Sequence, residues 1–267
     1  MTDSSSDAQR RFGGLARLYG ADGCDRLSQA SVAVVGVGGV GSWAAEALAR
    51  SGVGALTLVD LDHVAESNIN RQVQALSATL GQSKIEAMAQ RVRGINPDCA
   101  LRLVDDFLTP ENVAEVLPAS LDVVIDCTDQ VVAKIAMVLL ARARRQALIV
   151  CGGAGGKTNS LALRAGDLSE ATHDALLARL RNMLRRDHGF ARAGDPGGKV
   201  RKRIPKMAIR VLWVDQPTIL PGAWAATSGQ PLAGLSCAGY GSSITVTASM
   251  GLGAAAEAIN RLLAAQR

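Results

Sequence analysis

The sequence predicts an α/β fold, a doubly wound, Rossmann-like and mostly parallel sheet with helices on both faces and a less regular C-terminal half. First, strand-like and helix-like segments alternate from residue 32 to residue 151. Second, hydrophobic residues make up 48% of the chain and aromatic residues only 3%, so aliphatic side chains dominate, as in parallel sheets covered on both faces. Third, a glycine-rich turn links the first strand to the first helix of this alternation.

That turn lies in the segment VAVVGVGGVGS. Val32–Val35 is a short apolar strand, and Gly36, Gly38 and Gly41 fit the pattern G-x-G-x-x-G. In this pattern the first glycine permits a tight turn, the second lets the backbone approach a phosphate, and the third lets the helix pack on the strand. Ser42 opens a helix whose free N–H groups favour an anion. The segment therefore predicts a nucleotide site.

The following elements continue the alternation. Asp60 stands at the carboxyl end of the next strand, where a carboxylate is placed to accept hydrogen bonds from ribose hydroxyls. The remaining segments of the predicted core, in order, are the strand 55–59, the helix 83–96, the strand 100–104, the helix 109–117, the strand 123–126, the helix 131–146 and the strand 148–151.

The chain divides by pattern into three parts. Residues 1–30 form an N-terminal helical segment, residues 31–155 the nucleotide-binding core, and residues 156–267 an extension packed on the same domain. Within the extension we expect a helix around residues 176–184, a basic mobile loop near residues 187–207, and a late antiparallel strand over residues 209–214. Residues 216–256 carry no charge, but their densest apolar part, 244–256, falls short of the ~20 residues needed to span a bilayer. We interpret it as a helix buried against the sheet.

Charge and cysteine content narrow the function classes. Residues 179–210 hold eleven Lys/Arg against two Asp/Glu, which indicates either a polyanionic partner or a solvated helix face followed by a mobile loop. Five scattered cysteines without a C-x-x-C pair argue against a disulfide framework or a tetrathiolate zinc site and favour reduced thiols in the cytoplasm. The N-terminal residues lack the apolar segment of a secretory signal. The three histidines show no metal-ligand spacing.

Polar residues cluster where the predicted strands end. A dehydrogenase needs one acid there to hold ribose, whereas a metal-bound triphosphate also calls for cations and a second acid. The alternative is that Arg71 and Lys84 are surface charges and Asp129 is a helix N-cap. The predicted nucleotide-binding residues are Gly36, Gly38, Gly39, Gly41, Ser42, Asp60, Asp62, Asn68, Asn70, Arg71, Gln72, Lys84 and Asp126.

Residues 10–155 resemble the ubiquitin-activating-enzyme-like adenylyltransferases, through VxGxGGVGS, LxLVDxDxVxxSNxNRQ, GxxK, INP and DCxD in that order. The resemblance implies that Asp60 holds the ribose, that Asn68, Arg71 and Lys84 contact phosphates, and that Asp129 serves Mg²⁺ and catalysis. It implies attack of a carboxylate on the α-phosphate of ATP, giving an acyl-adenylate. Arg71, Lys84 and Asp129 are accordingly the predicted catalytic residues.

The segments RFGGLARLYG, DDFLTPEN, CGGAGG and SCAGYGSSITVTASMG resemble a narrower branch, the tRNA threonylcarbamoyladenosine dehydratases. This implies ATP-dependent cyclisation of N6-threonylcarbamoyladenosine beside the anticodon of ANN-decoding tRNAs, with loss of water. The first alternative is an adenylyltransferase that activates the C-terminal glycine of a ubiquitin-like sulfur carrier, although the zinc-binding C-x-x-C pairs of those enzymes are absent. Alternatives of other classes are an NAD-dependent oxidoreductase and a non-catalytic nucleic-acid-binding module.

The same resemblance implies partners. We expect a homodimer in which Arg11 or Arg17 reaches the partner's ATP, since Gly14 stands where sulfur-carrier activators place an arginine. Cys237 is either a thiol that meets a cysteine-desulfurase-type sulfur-transfer partner or a small buried side chain, and a monovalent cation is a further candidate ligand. Gly152–Gly156 either borders the substrate carboxylate or forms a plain turn. The predicted tRNA-binding residues are Lys199, Arg201, Lys202, Arg203 and Lys206.

Overall fold

One seven-stranded sheet organises the molecule. The computed structural model describes residues 4–194, 204–220 and 240–264. The strand order is β3-β2-β1-β4-β5-β7-β6, and every neighbouring pair is parallel except β6 with β7. The strands are β1 Ser31–Val35, β2 Ala55–Val59, β3 Ala100–Val104, β4 Val123–Asp126, β5 Ala147–Cys151, β6 Leu163–Asp167 and β7 Arg210–Val214. The predicted α/β, mostly parallel architecture is confirmed.

Helices cover both faces of this sheet. Their bounds are α1 Ser4–Tyr19, α2 Ala21–Gln29, α3 Gly41–Arg50, α4 Lys84–Ile95, α5 Val113–Val116, α6 Val131–Arg144, α7 Ala175–Asp187 and α8 Ile244–Ala264. The two largest apolar clusters of the described residues lie one on each face of the sheet. Central strands β1, β2, β4 and β5 are apolar along almost their whole length because both faces are covered.

The C-terminal part differs from the prediction in its strands. The expected late antiparallel strand is β7, which pairs parallel with β5 and antiparallel with β6. The sequence reasoning did not identify β6, because three of its five residues are solvent-accessible and its pattern LRAGD is not apolar. Strands β6 and β7, which both follow residue 155, thus extend the same sheet.

The helix predicted over residues 109–117 is shorter than expected. Only Val113–Val116 is helical. The Asn112 side chain accepts a hydrogen bond from the Thr109 N–H at 2.8 Å and donates to the Phe107 carbonyl at 2.8 Å. These bonds fold residues 107–112 into a turn, because an asparagine side chain satisfies backbone groups that would otherwise enter a helix.

The charge-free C-terminal segment ends in a buried helix, as expected. Helix α8 buries Val246, Met250 and Ala254 and crosses α3 closely. At Gly251 a Cβ atom would overlap the Val40 carbonyl oxygen, so the absence of a side chain lets the two helices meet. Among the helices of the described ranges, none combines the length and apolar character that crossing a bilayer requires.

Candidate active site

A cavity of about 470 Å³ opens at the carboxyl ends of β1, β2 and β4. In an open α/β sheet this edge is where ligands bind, because the strand order reverses there and leaves a crevice. The structure brings most of the predicted nucleotide-binding residues to this cavity. Those that line it are Gly36, Gly38, Gly39, Asp60, Asp62, Asn68, Arg71, Gln72 and Lys84. Asp129, which was predicted as a catalytic and metal-binding residue, lines it too.

The glycine turn forms one wall of the cavity. Gly36 has a φ of 85°, and a Cβ atom there would lie 3.0 Å from the Cys127 carbonyl group, so both conformation and space require glycine. At Gly41 a Cβ atom would overlap the Gly36 carbonyl oxygen, so Gly41 lets α3 approach the turn. Helix α3 therefore begins directly against the cavity wall, and its free N–H groups favour an anion.

Asp60 is fixed at the end of β2 by the backbone. Its carboxylate accepts hydrogen bonds from the Val37 N–H at 2.6 Å and from the Asp62 N–H at 2.9 Å. Burial raises the pKa of Asp60, and Lys84 together with these two N–H groups opposes that rise. The bond to Val37 ties the carboxylate to the glycine turn, so these two parts of the cavity lining are fixed relative to each other.

Arg71 lies across the glycine turn and is held from three sides. One guanidinium nitrogen donates to the Ser67 carbonyl at 2.7 Å and to the Asn70 side-chain oxygen at 3.0 Å, while the Trp43 indole N–H donates to the Arg71 carbonyl. A Cβ atom at Gly39 would lie 3.3 Å from the Arg71 Cδ and Cγ atoms. Gly39 therefore makes room for the arginine stem, a role that the sequence pattern alone did not indicate.

Lys84 enters the same cavity paired with Asp62. The Nζ atom lies 2.6 Å from the Asp62 carboxylate, with the lysine side chain 8% exposed and the aspartate side chain 58% exposed. Because Asp62 faces solvent, its carboxylate can move away when a phosphate approaches, whereas Lys84 stays where α4 begins. The pair keeps a buried ammonium neutralised before an anion arrives.

Asp129 provides an exposed carboxylate that lines the cavity. It does not cap α6, since the N-cap residue is Gln130 without a side-chain hydrogen bond. Within the described ranges no group of three or more His, Cys, Asp or Glu side chains converges as a metal site. One carboxylate lining this cavity fits Mg²⁺, which proteins often hold through one or two carboxylates plus substrate phosphates.

Four predicted nucleotide-binding residues do not line the cavity. Gly41 and Ser42 lie beneath it, with the buried Ser42 hydroxyl accepting the Val73 N–H at 3.4 Å. Asn70 points its amide nitrogen to the Ser242 carbonyl at 3.0 Å and its oxygen to Arg71, so it braces the arginine. Asp126 is fully buried. Direct contact of Asp126 with a nucleotide, as predicted, is wrong for this structure.

Asp126 instead belongs to a buried ion pair under the cavity floor. Its carboxylate lies 3.1 Å from Lys134 Nζ and accepts hydrogen bonds from the Thr128 N–H and hydroxyl at 3.0 and 2.8 Å. Lys134 also donates to the Cys151 carbonyl at 2.8 Å, so it joins the ends of β4 and β5. Burial raises the pKa of Asp126 despite these contacts. The pair holds Thr128, which lines the cavity next to Asp129.

The structure adds residues that sequence reasoning missed. Asp106 and Phe107 follow β3 and line the cavity, and the rule that strand ends meet at one edge would have found them. Ser242 and Thr247, near the start of α8, also line it, but no local pattern links them to this edge. Gly152 and Ala154 border the cavity as well, and whether they border a substrate carboxylate stays a prediction.

The thiols near the site are not arranged as nucleophiles. Cys127 and Cys151 are free, with their sulfur atoms 3.9 Å apart. The hydrogen bond with Cys151 and burial raise the pKa of Cys127 well above its ordinary value. Cys127 therefore stays protonated and serves as a small apolar group. Cys237 lies outside the described residues.

Two further sets of residues were predicted to contact the partner's nucleotide or tRNA. Arg11 donates to the Gly94 and Ile95 carbonyls at 3.3 and 3.4 Å, at the C-terminal end of α4, and neither Arg11 nor Arg17 lines the cavity of its own chain. Of the predicted tRNA-binding residues, Lys206 is exposed on the surface. Lys199, Arg201, Lys202 and Arg203 lie outside the described residues.

Comparison with known proteins gives end-to-end matches. Residues 11–267 match the ThiF family. A tRNA threonylcarbamoyladenosine dehydratase of Haemophilus influenzae is 41% identical over 96% of this chain and 94% of its own length. Crystal structures of the Escherichia coli tRNA N6-threonylcarbamoyladenosine dehydratase are similar too. The complex with ATP has a TM-score of 0.83 and 37% identity, covering 96% of this chain and 95% of that one. The complex with AMP has a TM-score of 0.85 and 36% identity, covering both chains completely.

Proposed function

The chain belongs to the ThiF family, and from that premise we propose that it dehydrates N6-threonylcarbamoyladenosine in tRNA in an ATP-dependent reaction. The observation that carries the proposal is the cavity at the carboxyl edge of the sheet, where Asp60, Arg71, Lys84 and Asp129 converge beside a glycine turn. The similar proteins of that name match along the whole chain, which favours this activity over sulfur-carrier activation or NAD-dependent oxidation.

In the proposed complex the cavity binds ATP in one orientation. Asp60 accepts hydrogen bonds from the ribose hydroxyls, and the N–H groups of the turn and of the first turn of α3 face the phosphates. Arg71 and Lys84 neutralise phosphate oxygens, and Asn68 and Gln72 complete that wall. Asp129 would hold Mg²⁺, which when bound neutralises charge on the departing pyrophosphate. Positioning and charge compensation thus carry the rate enhancement.

The chemistry has two steps that balance without an enzyme nucleophile. A carboxylate oxygen of the threonyl group attacks the α-phosphorus of ATP, and the bond from that phosphorus to the bridging oxygen breaks, releasing pyrophosphate. A nitrogen or oxygen of the same modification then attacks the activated carbonyl carbon and expels AMP, which closes the ring. The oxygen lost from the substrate leaves in AMP, so the net change in the nucleoside is loss of one water. The protonated state of Cys127 agrees with this scheme, since no thiol is required.

The proposal extends to the surroundings of the enzyme. We expect a cytoplasmic homodimer, with Arg11 or Arg17 directed to the partner's nucleotide. Lys199, Arg201, Lys202, Arg203 and Lys206 are proposed to contact tRNA phosphates without reading sequence. A monovalent cation and a cysteine-desulfurase-type partner at Cys237 complete the set of proposed ligands.

Supplying the purified protein with ATP, Mg²⁺ and threonylcarbamoyl-modified tRNA tests the activity. We expect AMP and pyrophosphate in equal amounts and a modified nucleoside lighter by one water, and chelation of divalent metal should stop the reaction. Arg71→Ala should abolish turnover. Arg93→Ala is the matched control, because Arg93 is an exposed arginine of α4 outside the cavity. Release of AMP without the mass loss, or wild-type turnover by Arg71→Ala, would contradict the proposal.

A further inference from the structure

A second cavity, of about 650 Å³, lies at the opposite edge of the sheet. It opens at the amino ends of β5 and β7, where Ala147, Leu148 and Arg210 line it, and at the C-terminal end of α6. A strand of five residues separates the two edges, about 16 Å at 3.3 Å per residue. The cavity is therefore separate from the proposed ATP site.

Cationic side chains from three segments surround this cavity, which we call the basic cavity. Arg142 and Arg145 come from the end of α6, Lys206 from the segment before β7, and Arg261 from α8. All four are exposed, so an incoming ligand reaches them from solvent. The walls between them are apolar and include Phe190, whose ring lies 4.5 Å below the Arg142 guanidinium and supports it.

These cations are poorly neutralised by the protein. In the part of the chain that the structure describes, Arg142, Arg145 and Arg261 form no ion pair with a carboxylate. Among the residues that the structure describes, Lys206 has only Glu170 as an ion-pair partner, at 3.9 Å. By contrast, the fifth cation at this cavity, Arg210, is bound by both carboxylate oxygens of Glu257. The four side chains thus leave a concentrated positive field over a concave surface.

The end of helix α6 explains the presence of only two of these four cations. Carbonyl groups at the C-terminal end of α6 favour nearby cations, which explains arginines at positions 142 and 145. They do not explain Arg261 or Lys206, which other segments bring to the same place. Like charges that converge without counterions repel one another, and an anionic ligand removes that repulsion. Guanidinium groups match phosphate oxygens in particular, because their N–H groups form a planar fork.

We propose that the basic cavity binds backbone phosphates of the tRNA substrate, an inference that rests on the proposed function. A polymer backbone is favoured over a small phosphate compound because the four cations come from three segments and are all exposed rather than enclosed. Lys206, which lines the cavity, is also close in sequence to the other predicted tRNA-binding residues, since Arg203 is three residues before it. Contacts of this kind position the RNA and carry no sequence information. Arg142, Arg145 and Arg261 are thereby added to the tRNA-binding residues.

The test compares tRNA binding by wild type and by the triple variant Arg142→Ala/Arg145→Ala/Arg261→Ala, without ATP, over a series of salt concentrations. If each arginine neutralises about one phosphate, the slope of log K against log salt should fall in magnitude by about 2–3, with weaker binding at every salt concentration. Arg93→Ala should leave both quantities unchanged. Thermal unfolding shows whether the triple variant is folded. If it is not, the single variant Arg261→Ala is used in its place, with an expected slope change of about 1.

Each outcome separates this inference from the proposed function. Unchanged affinity and slope in a folded variant would overturn the phosphate site, whatever the activity. Inorganic phosphate or AMP binding that the triple variant loses, with tRNA affinity unchanged, would overturn it in favour of a free phosphate ligand. A wild type that binds tRNA with the expected salt dependence but forms no AMP would instead contradict the proposed function alone.

Discussion

Replacing Lys134 by methionine should destabilise the fold by about 3–5 kcal/mol, because it leaves the Asp126 carboxylate buried without its cation. Lys134 and Asp126 both have side chains with 0% exposure, and the ammonium lies 3.1 Å from Asp126 and 2.8 Å from the Cys151 carbonyl. Methionine is unbranched and of similar length, so the packing change is small and the loss of charge dominates. The two Thr128 hydrogen bonds to Asp126 do not replace a cation.

The loss should depend on pH with a defined sign. Burial already raises the pKa of Asp126 in the folded protein, and removing Lys134 removes an effect that lowers it. A carboxyl whose pKa is raised in the folded protein stays protonated there at pH values at which the same carboxyl ionises in the unfolded chain. The free energy of unfolding therefore falls as the pH rises from the unfolded-state pKa to the folded-state pKa. One such group changes the free energy of unfolding by about 1.4 kcal/mol per pH unit within that range. Lys134→Met should therefore be less destabilised at pH 5 than at pH 7.5.

Urea denaturation of wild type and Lys134→Met at the two pH values measures both effects. The double variant Asp126→Asn/Lys134→Met should be more stable at pH 7.5 than Lys134→Met alone, because no buried charge remains. Lys206→Met is the control, since Lys206 is 71% exposed and its loss should change stability by about 0.5 kcal/mol or less. A loss below about 1 kcal/mol in Lys134→Met at pH 7.5, equal to that at pH 5, would refute the reasoning.

Three further changes test the local geometry. Gly36→Ala should cost about 1–2 kcal/mol for the positive φ alone, with more from the clash at Cys127, and denaturant unfolding measures this loss. Glu46→Gln should cost about 1–3 kcal/mol at pH 7. Burial opposes ionisation of Glu46, but its hydrogen bonds to Arg91 and Arg50 outweigh burial and lower the pKa of this carboxyl. Wild type should therefore lose this stability as the pH falls below about 4.5, whereas the stability of Glu46→Gln should not change for this reason. Asp60→Asn should raise the KM for ATP by about 10–100-fold, because charge-assisted hydrogen bonds to ribose become neutral ones, whereas an unchanged KM would remove Asp60 from the ribose site.

Local patterns in the sequence predicted the core of the fold well. Strand β1 and the glycines after it follow from short-range rules, because an apolar strand and a turn that needs Gly36 leave little conformational choice. The same rules missed β6, since its residues are held by pairing with β7, which lies about 45 positions later. Pairing between distant segments leaves no periodic signal in either.

The candidate site was predicted in part for the same reason. Placement at a strand end identified Asp60 and Asp129 correctly as cavity residues, because the backbone alone determines that edge. It did not determine side-chain direction, so Asp126, three residues before Asp129, was assigned to the cavity although it points into the core towards Lys134. The basic cavity could not be predicted, since α6 and α8 pack on opposite faces of the sheet and bring their cations to one cavity only in the folded chain.

Isotope tracing tests most directly whether a substrate carboxylate attacks the α-phosphate of ATP at this edge of the sheet. Modified tRNA with ¹⁸O in the threonyl carboxylate would be incubated with the enzyme and unlabelled ATP, and the AMP and pyrophosphate analysed by mass spectrometry. Formation of an acyl-adenylate predicts one ¹⁸O atom in AMP and none in pyrophosphate. Unlabelled AMP, or ADP with ¹⁸O in inorganic phosphate, would contradict it.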